Sequence, residues 1–524
     1  MPGLHVLDYA VVFVYLAVIV AIGVYFSRKQ NSTDEYFAGG RNIPAWALGM
    51  SLLATLISSV TFLAYPGEGY ASNWIRLVQG IMVPITLLGI IWFIVPCYRK
   101  MIGLSAYEYF EKRFGYIARL YSSLAFVLAH FSKMGTVFYL LALAISKMTG
   151  YDTYMVILVL GILTVVYTLL GGLEAVVWSD VIQGFMLIAG GLICVGVLLF
   201  RPDGGPSAVI QGAWENNKIA FGPYDMDFKK LTFIVMALNG FFYAIQKYGT
   251  DQTVVQRFLA AKSDKAAIKA ALMGTLLCVP IWTLFMFIGT CLWSYYQGTG
   301  ALLPEGIQAD AVFPLFIMTE LPAGITGLIL AALIAAAMSS LDSDLNCLAA
   351  VGVSDFYKRF KPNSSDKQCL NLGRIIVVIS GICAMAVAFW YVQSEGTNVL
   401  KTVFGLYAVF SGGVAGLFVL AFFTTRANTK GLYVGMAACV LFTGYAMLTS
   451  QKYKIFGIEI ALDLGKYDFT HHKYMLGVYS HLVLFGIGYA ASFFFKPDKD
   501  VRDMTFYGWL ERRHNPDNTE SLSR

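Results

Sequence analysis

The stretch GITGLILAALIAAAMSSLDSDLN, Gly324 to Asn346, decides how the rest of this chain is read. It opens as an apolar helix of small residues. It then places Ser339, Ser340, Asp342, Ser343 and Asp344 within about one and a half turns. Oxygens at that density in hydrocarbon need partners, because an unsatisfied polar group there is costly. Ser339, Asp342 and Ser343 stand at i, i+3 and i+4 and share one helix face. A face of hydroxyls, carboxylate and nearby carbonyls suits a hard cation such as sodium. Close helix approach explains Ala335–Ala337 and the serines equally well. It does not explain two aspartates, unless these have left the membrane at a helix end.

The flanking sequence says which solvent this helix meets. The 524 residues are 57% hydrophobic and 13% charged, with a mean hydropathy of +0.64. That marks a polytopic membrane protein whose partner is the lipid bilayer. Nine Trp suit interfacial belts. The net charge of +6 is scattered over loops, so no nucleic acid is implied. The eight cysteines lack metal-ligand spacing and read as small apolar fillers.

Runs of about 20 apolar residues give about 13 transmembrane helices. They fall near 8–27, 44–66, 76–98, 118–146, 152–170, 177–200, 232–255, 271–296, 322–347, 372–393, 401–424, 430–449 and 475–496. Lys and Arg gather in alternate loops (28–43, 99–117, 256–270, 354–371, 425–429) and in the tail, while 297–321 holds none. This predicts a multi-pass protein of the cell membrane, plasma or inner, with its amino terminus outside and its carboxyl terminus cytoplasmic. Loops 201–231 and 450–474 obey the rule imperfectly. The first apolar run reads as a retained helix, not a signal peptide.

The expected organisation is an extra helix and loop over 1–43, a five-helix unit over 44–200 and an outer loop over 201–231. A second unit of opposite topology over 232–424, two further helices over 425–496 and a polar, partly disordered tail over 497–524 follow. Odd-numbered units invert when duplicated, the usual construction of secondary transporters.

Ser58, Ser59 and Thr61 cluster in the second span, with Pro66-Gly67 after them. Their hydroxyls can ease a local break, freeing carbonyls for a cation and aiming half-helix dipoles at a solute. On composition alone, a packed helix with self-satisfied hydroxyls is the favoured reading. In LLGGLEAVVWSDVIQ, residues 169–183, Gly171-Gly172 form a tight turn and Asp180 follows near a helix start. A carboxylate there favours the helix dipole. Lys133 and Lys247 interrupt apolar runs and should face a partner or a wet cavity. Arg76 and Gln79 lie near a span end, where snorkelling is the simpler account of Arg76. Six histidines show no zinc spacing, and neither a nucleophile elbow nor a phosphate loop occurs. The chain is therefore not read as an enzyme.

The segments Asp34-Glu-Tyr-Phe-Ala-Gly-Gly-Arg41, Pro44-Ala-Trp46, Gly171-Gly-Leu-Glu-Ala-Val-Val-Trp-Ser-Asp180, Asp251-Gln-Thr-Val-Val-Gln-Arg257 and Ala335-Ala-Ala-Met-Ser-Ser-Leu-Asp-Ser343 together resemble the solute:sodium symporter family. The sequence is most similar to bacterial sodium/sialic acid transporters and more distantly to sodium/galactose transporters. The resemblance implies an all-α, leucine-transporter-like core of two inverted five-helix repeats with alternating access. It implies a sodium ion held by the carbonyls of Ala54, Ile57 and Ala336 and the hydroxyls of Ser339 and Ser340. These neutral ligands suit a monovalent ion that must also leave. A second sodium site would fall on Asp180, Ser339, Asp342 and Ser343, with Asp342 where the sialic acid relatives carry serine.

At the solute site, Ser58 and Thr61 match hydroxyl positions of those relatives. Lys133 stands at their substrate-binding arginine, keeping the charge but losing the fork. Arg76 replaces a phenylalanine, Gln79 neighbours a position that is glycine here, and Lys247, followed by Tyr248, replaces an aromatic lid of the galactose relatives. Three cations near the cavity favour an anionic small-molecule solute. The expectation is sodium-coupled import of a sugar or a sugar acid such as sialic acid. Symport of a monocarboxylate or other organic anion is the alternative. A proton-coupled carrier using Asp180 or Asp342, or a transporter-like membrane sensor, are the other classes. The sequence sets no oligomeric state.

Overall fold

A computed structural model describes residues 4–298, 303–393, 412–450, 453–455, 458–460, 462–498 and 501–514. Its main helices are α1 (Val6–Ser27), α2 (Ala45–Leu56), α3 (Ser59–Ala71), α4 (Leu77–Met101), α5 (Tyr116–Thr149), α6 (Thr153–Phe200), α7 (Phe233–Gly249) and α8 (Gln252–Ala260). They continue as α9 (Asp264–Gly298), α10 (Ala309–Glu320), α11 (Ile325–Val351), α12 (Asp366–Gln393), α13 (Val414–Phe423), α14 (Thr429–Ser450), α15 (Lys473–Ser492) and α16 (Phe506–His514). The exception is a two-stranded hairpin pairing Tyr453–Ile455 with Ile458–Ile460.

Among the described residues, nine helices are long and apolar enough to cross a membrane, and the bent pair α2–α3 makes a further candidate. At 48 residues, α6 runs about 72 Å, over twice the roughly 30 Å of bilayer hydrocarbon. It breaks at Gly172, whose φ of +56° suits glycine. A Cβ there would lie 2.8 Å from the Tyr36 carbonyl oxygen. The expected turn at Gly171-Gly172 is thus a break inside one element. The expected span 401–424 is described only from residue 412, and its earlier part lies outside the described residues, as do 499–500 and 515–524 of the tail.

α11 is the shaft of the bundle: 89% of its apolar window is buried, against 22% for α1. Its alanine-rich first half carries high helix propensity. Its start is fixed from outside, since Asp8 of α1 accepts hydrogen bonds from the amides of Gly324 and Gly327, both at 2.7 Å. That carboxylate takes two of the orphan donors of a helix N-terminus. α6, α5, α12, α1 and α2 pack around the shaft.

Two features depart from the sequence reading. The second span breaks between Ile57 and Ser58, both extended, and α2 and α3 meet at 59°. Composition had favoured an unbroken helix there. The span 232–255 also ends early. Asp251 caps a new helix by accepting from the Thr253 amide at 2.9 Å, and every residue of that helix, α8, is buried. Its Gln256 and Arg257 side chains read as loop by hydropathy, yet the bundle interior satisfies them. The tail is in part ordered: Phe506 of α16 packs its ring 4.9 Å from Phe93 of α4.

Candidate functional site

The break in α2–α3 faces the serine pair of α11. Ser339 donates from Oγ to the Ala54 carbonyl at 2.9 Å and to that of Ala336 at 3.2 Å. Ser340 donates to the Thr55 carbonyl at 3.3 Å. Ile57, the residue that caps the end of α2, has left helical geometry (φ −97°, ψ 103°), which turns its carbonyl out of the ladder. Ala54, Ile57, Ala336, Ser339 and Ser340 are all buried. The structure therefore brings together Ala54, Ala336 and both serines, with Ile57 at the same break. A hydroxyl that donates to a carbonyl without an ion can turn its lone pairs toward one, and the carbonyl then faces the same ion. Five neutral oxygens in a dry seam fit sodium.

The second cluster borders the first and draws on α2, α6, α8 and α11. Asp180, read as a residue near a helix start, is instead fully buried within α6, past the break at Gly172. Its Oδ2 accepts from Ser51 at 2.6 Å and from Arg257 at 3.4 Å. Arg257, on α8, was not singled out in the sequence as a site residue. It is fully buried and also donates to Ser343 at 2.5 Å, to Thr55 at 3.1 Å and to Ser51 at 3.2 Å. Its signal was present: an arginine inside a segment that closes with Phe-Leu-Ala-Ala. Asp342 accepts from the Tyr167 hydroxyl at 2.5 Å and lies within electrostatic reach of Asp180. Two carboxylates thus share the surroundings of one guanidinium in the interior. Asp180 Oδ1 and Asp342 Oδ1 are each buried without a partner.

The expected solute residues divide. Ser58 and Thr61 sit at the break and in the first turn of α3. Arg76 does not snorkel: it pairs with Glu68 at 2.8 Å and donates to the Tyr474 hydroxyl at 2.5 Å. Gln79 is half-buried one turn further on. Tyr248 is fully buried, its hydroxyl accepting from Thr275 at 2.5 Å, which is a packing position. Lys133 lies 3.1 Å from Asp344 and Lys247 lies 2.6 Å from Asp251. None of the three expected cations is free, so positive charge alone no longer argues for an anion. His130 lies between the two aspartates, joining both lysines into one constellation.

Residues 36–439 match the family model described as the sodium:solute symporter family. The chain belongs to that family. It is 35% identical over 438 residues to the sodium/sialic acid symporter NanT of Aliivibrio fischeri, covering 83% of this chain and 86% of that protein. Identity to the sodium/sialic acid symporter SiaT of Proteus mirabilis is also 35%, over 439 residues, 83% of this chain and 88% of that protein. A solved sialic acid symporter in a substrate-bound outward-open state, described as revealing a novel Na⁺ site, superposes with a TM-score of 0.86 at 32% identity, covering 94% of this chain and 99% of that one. This symporter is therefore an all-α membrane carrier that couples sodium to a small solute by alternating access, and it is not an enzyme. The bent pair α2–α3 is a discontinuous helix of the kind found in secondary transporters.

Proposed function

We propose that this symporter imports an acidic, sugar-like solute, with sodium bound by Ala54, Ile57, Ala336, Ser339 and Ser340. Lys133 carries the solute assignment. It is the most exposed member of its constellation, 32% open, and lies on α5, which packs against both α3 and α11. Its ammonium meets the solute carboxylate. Ser58 and Thr61 meet hydroxyls, and the amino end of α3 adds a dipole favourable to an anion. Sialic acid, the solute named for both curated relatives, is the first candidate.

The orphan oxygens of Asp180 and Asp342, beside Ser339 and Ser343, support a second sodium. With both carboxylates ionised, the ion would neutralise the charge that Arg257 leaves uncompensated. Stoichiometry then has a consequence. A monoanion carried with one sodium moves no net charge and gains nothing from the membrane potential. With two, one net charge crosses, worth about 2.3 kcal/mol per 100 mV, or roughly fiftyfold accumulation. The loop charges further support an outside amino terminus and a cytoplasmic carboxyl terminus. The breaks at Ile57–Ser58 and Thr250–Asp251 each fall in the first helix of the units 44–200 and 232–424, which supports those boundaries.

The test is uptake by proteoliposomes under an inward sodium gradient, with labelled N-acetylneuraminate, glucuronate and glucose. Sodium-dependent uptake of an acid, stimulated by an inside-negative potential, is expected. Uptake of glucose equal to that of either acid overturns the solute assignment.

A further inference from the structure

Five ionisable groups between α5, α7, α8 and α11 form one unbroken chain with a lysine at each end. Lys133 Nζ lies 3.1 Å from both oxygens of Asp344. Asp344 Oδ1 lies 2.8 Å from His130 Nδ1, and His130 Nε2 lies 3.4 Å from Asp251 Oδ2. Asp251 Oδ2 in turn lies 2.6 Å from Lys247 Nζ. Asp344 is fully buried and His130 nearly so. Both ring nitrogens of His130 thus face carboxylates. A carboxylate only accepts, and a neutral imidazole has one N–H. Only the imidazolium satisfies both sides. The remaining groups facing His130 do not change this balance. Phe126 stacks at 4.0 Å from its own helix. Cys347 of α11 lies within electrostatic reach of Asp251, Asp344, Lys247 and Arg257, and Tyr107 lies within reach of Asp251.

The charge count decides what the site accepts. Two lysines and two aspartates cancel. An imidazolium makes the constellation +1, and a neutral imidazole makes it zero. A desolvated net charge is expensive, and an arriving carboxylate removes it.

We propose that His130 is a positioning residue whose proton sets the charge of the solute site, so that binding of an acidic solute and protonation of His130 are linked. The inference rests on the acidic-solute reading above. Linkage is reciprocal: the bound anion holds the proton, and loss of the proton weakens the anion. One proton per solute gives at most about a tenfold fall in affinity per pH unit above the His130 midpoint.

The test is binding of N-acetylneuraminate to the purified full-length symporter at saturating sodium, between about pH 5.5 and 8.5. The solute carboxyl stays ionised throughout that range. Wild-type affinity should fall as pH rises. His130→Gln should be flat with pH, at the weak wild-type level of high pH, with its sodium midpoint unchanged. Adding Asp344→Asn to it restores the +1 count and should recover strong, pH-flat binding, an outcome that a merely structural role for His130 would not produce. Should His130→Gln fail to fold, Asp344→Asn alone decides: it keeps +1 with a neutral imidazole, so strong binding should persist at high pH. A pH-flat wild type, a wild-type profile in His130→Gln, or the wild-type high-pH fall in Asp344→Asn overturns the linkage while leaving the acidic-solute reading intact. Failure of both N-acetylneuraminate and glucuronate to bind the wild type at any pH overturns the two together.

Discussion

Ser339→Ala tests the sodium seam most directly. Ser339 is one of the five proposed ligands, is fully buried, and is the group seen bonded to both Ala54 and Ala336. In the ion-free protein its loss removes two neutral hydrogen bonds, on the order of 1 kcal/mol each, which the bundle should survive. In the ion-bound protein it removes an oxygen from a desolvated cation. Contacts to charged groups are worth about 1.5–3 kcal/mol, so sodium should bind roughly 10- to 150-fold more weakly. Because the loss falls on affinity, saturating sodium should restore most of the uptake rate. Ser339→Cys separates the ligand from the space it fills, keeping the shape while replacing a hard oxygen with soft sulfur. Sodium titration of thermal melting in detergent, repeated as sodium-dependent uptake in proteoliposomes, reads the effect. If both variants fold and both keep a sodium midpoint within about threefold of wild type, a shift well under 1 kcal/mol, Ser339 is not a ligand and the seam is not the site.

Asp8→Ala leaves the buried amides of Gly324 and Gly327 without their acceptor. It should cost about 1–3 kcal/mol in thermal unfolding, with Asp8→Asn recovering part. Arg257→Gln leaves the Asp180 carboxylate buried and unpaired, a loss of about 3–5 kcal/mol. Asp180→Asn in the same chain should restore most of that stability, which a double-mutant cycle of melting curves checks. Glu108 lies in the connection between α4 and α5. Burial pushes its carboxyl up, but the amides of Gly103, Ser105 and Leu104 and the Arg119 guanidinium outweigh it and hold it below the usual range. A lowered folded value means stability present above the ordinary glutamate pKa of about 4.3 and lost as pH falls through the lower folded value. Glu108→Gln should flatten that acid limb in melting temperature measured against pH.

The membrane architecture was legible because hydrocarbon imposes one rule on every span. The serine pair was legible because Ser339 and Ser340 stand where an otherwise apolar helix admits oxygens, and the resemblance alone proposed the pair as sodium ligands. The breaks were not. Nothing in Leu56-Ile57-Ser58-Ser59 forbids a helix, and the bend is set by what packs on either side. The second half of α8 was misread because Gln256 and Arg257 look solvated to any hydropathy scale, and the break before Gln252 was not foreseen. Inside the bundle Gln252 bonds the Leu104 carbonyl, Gln256 bonds Asn346 and the Phe37 carbonyl, and Arg257 bonds five groups on four elements. The pairing of Lys133 and Lys247 was hidden for the same reason. Each lysine announces that a partner exists, but Asp344 and Asp251 become partners only once α5, α7, α8 and α11 meet.

The two proposed ion clusters meet at one seam, and an ion bound there would select a conformation. Ser51, Ala54 and Thr55 on α2 face Ser339, Ser340 and Ser343 on α11, directly or through Arg257. Neither helix alone carries a full ligand set. Any motion that separates α2 from α11 divides the five oxygens between two surfaces. An ion held by those oxygens therefore favours only those states in which the seam is closed, and that difference in affinity is all that coupling requires. Because α2 ends at the same break that opens into Ser58 and Thr61, a closed seam also fixes where α3 begins. In the proposed arrangement the ion thereby orders one wall of the solute site without touching the solute.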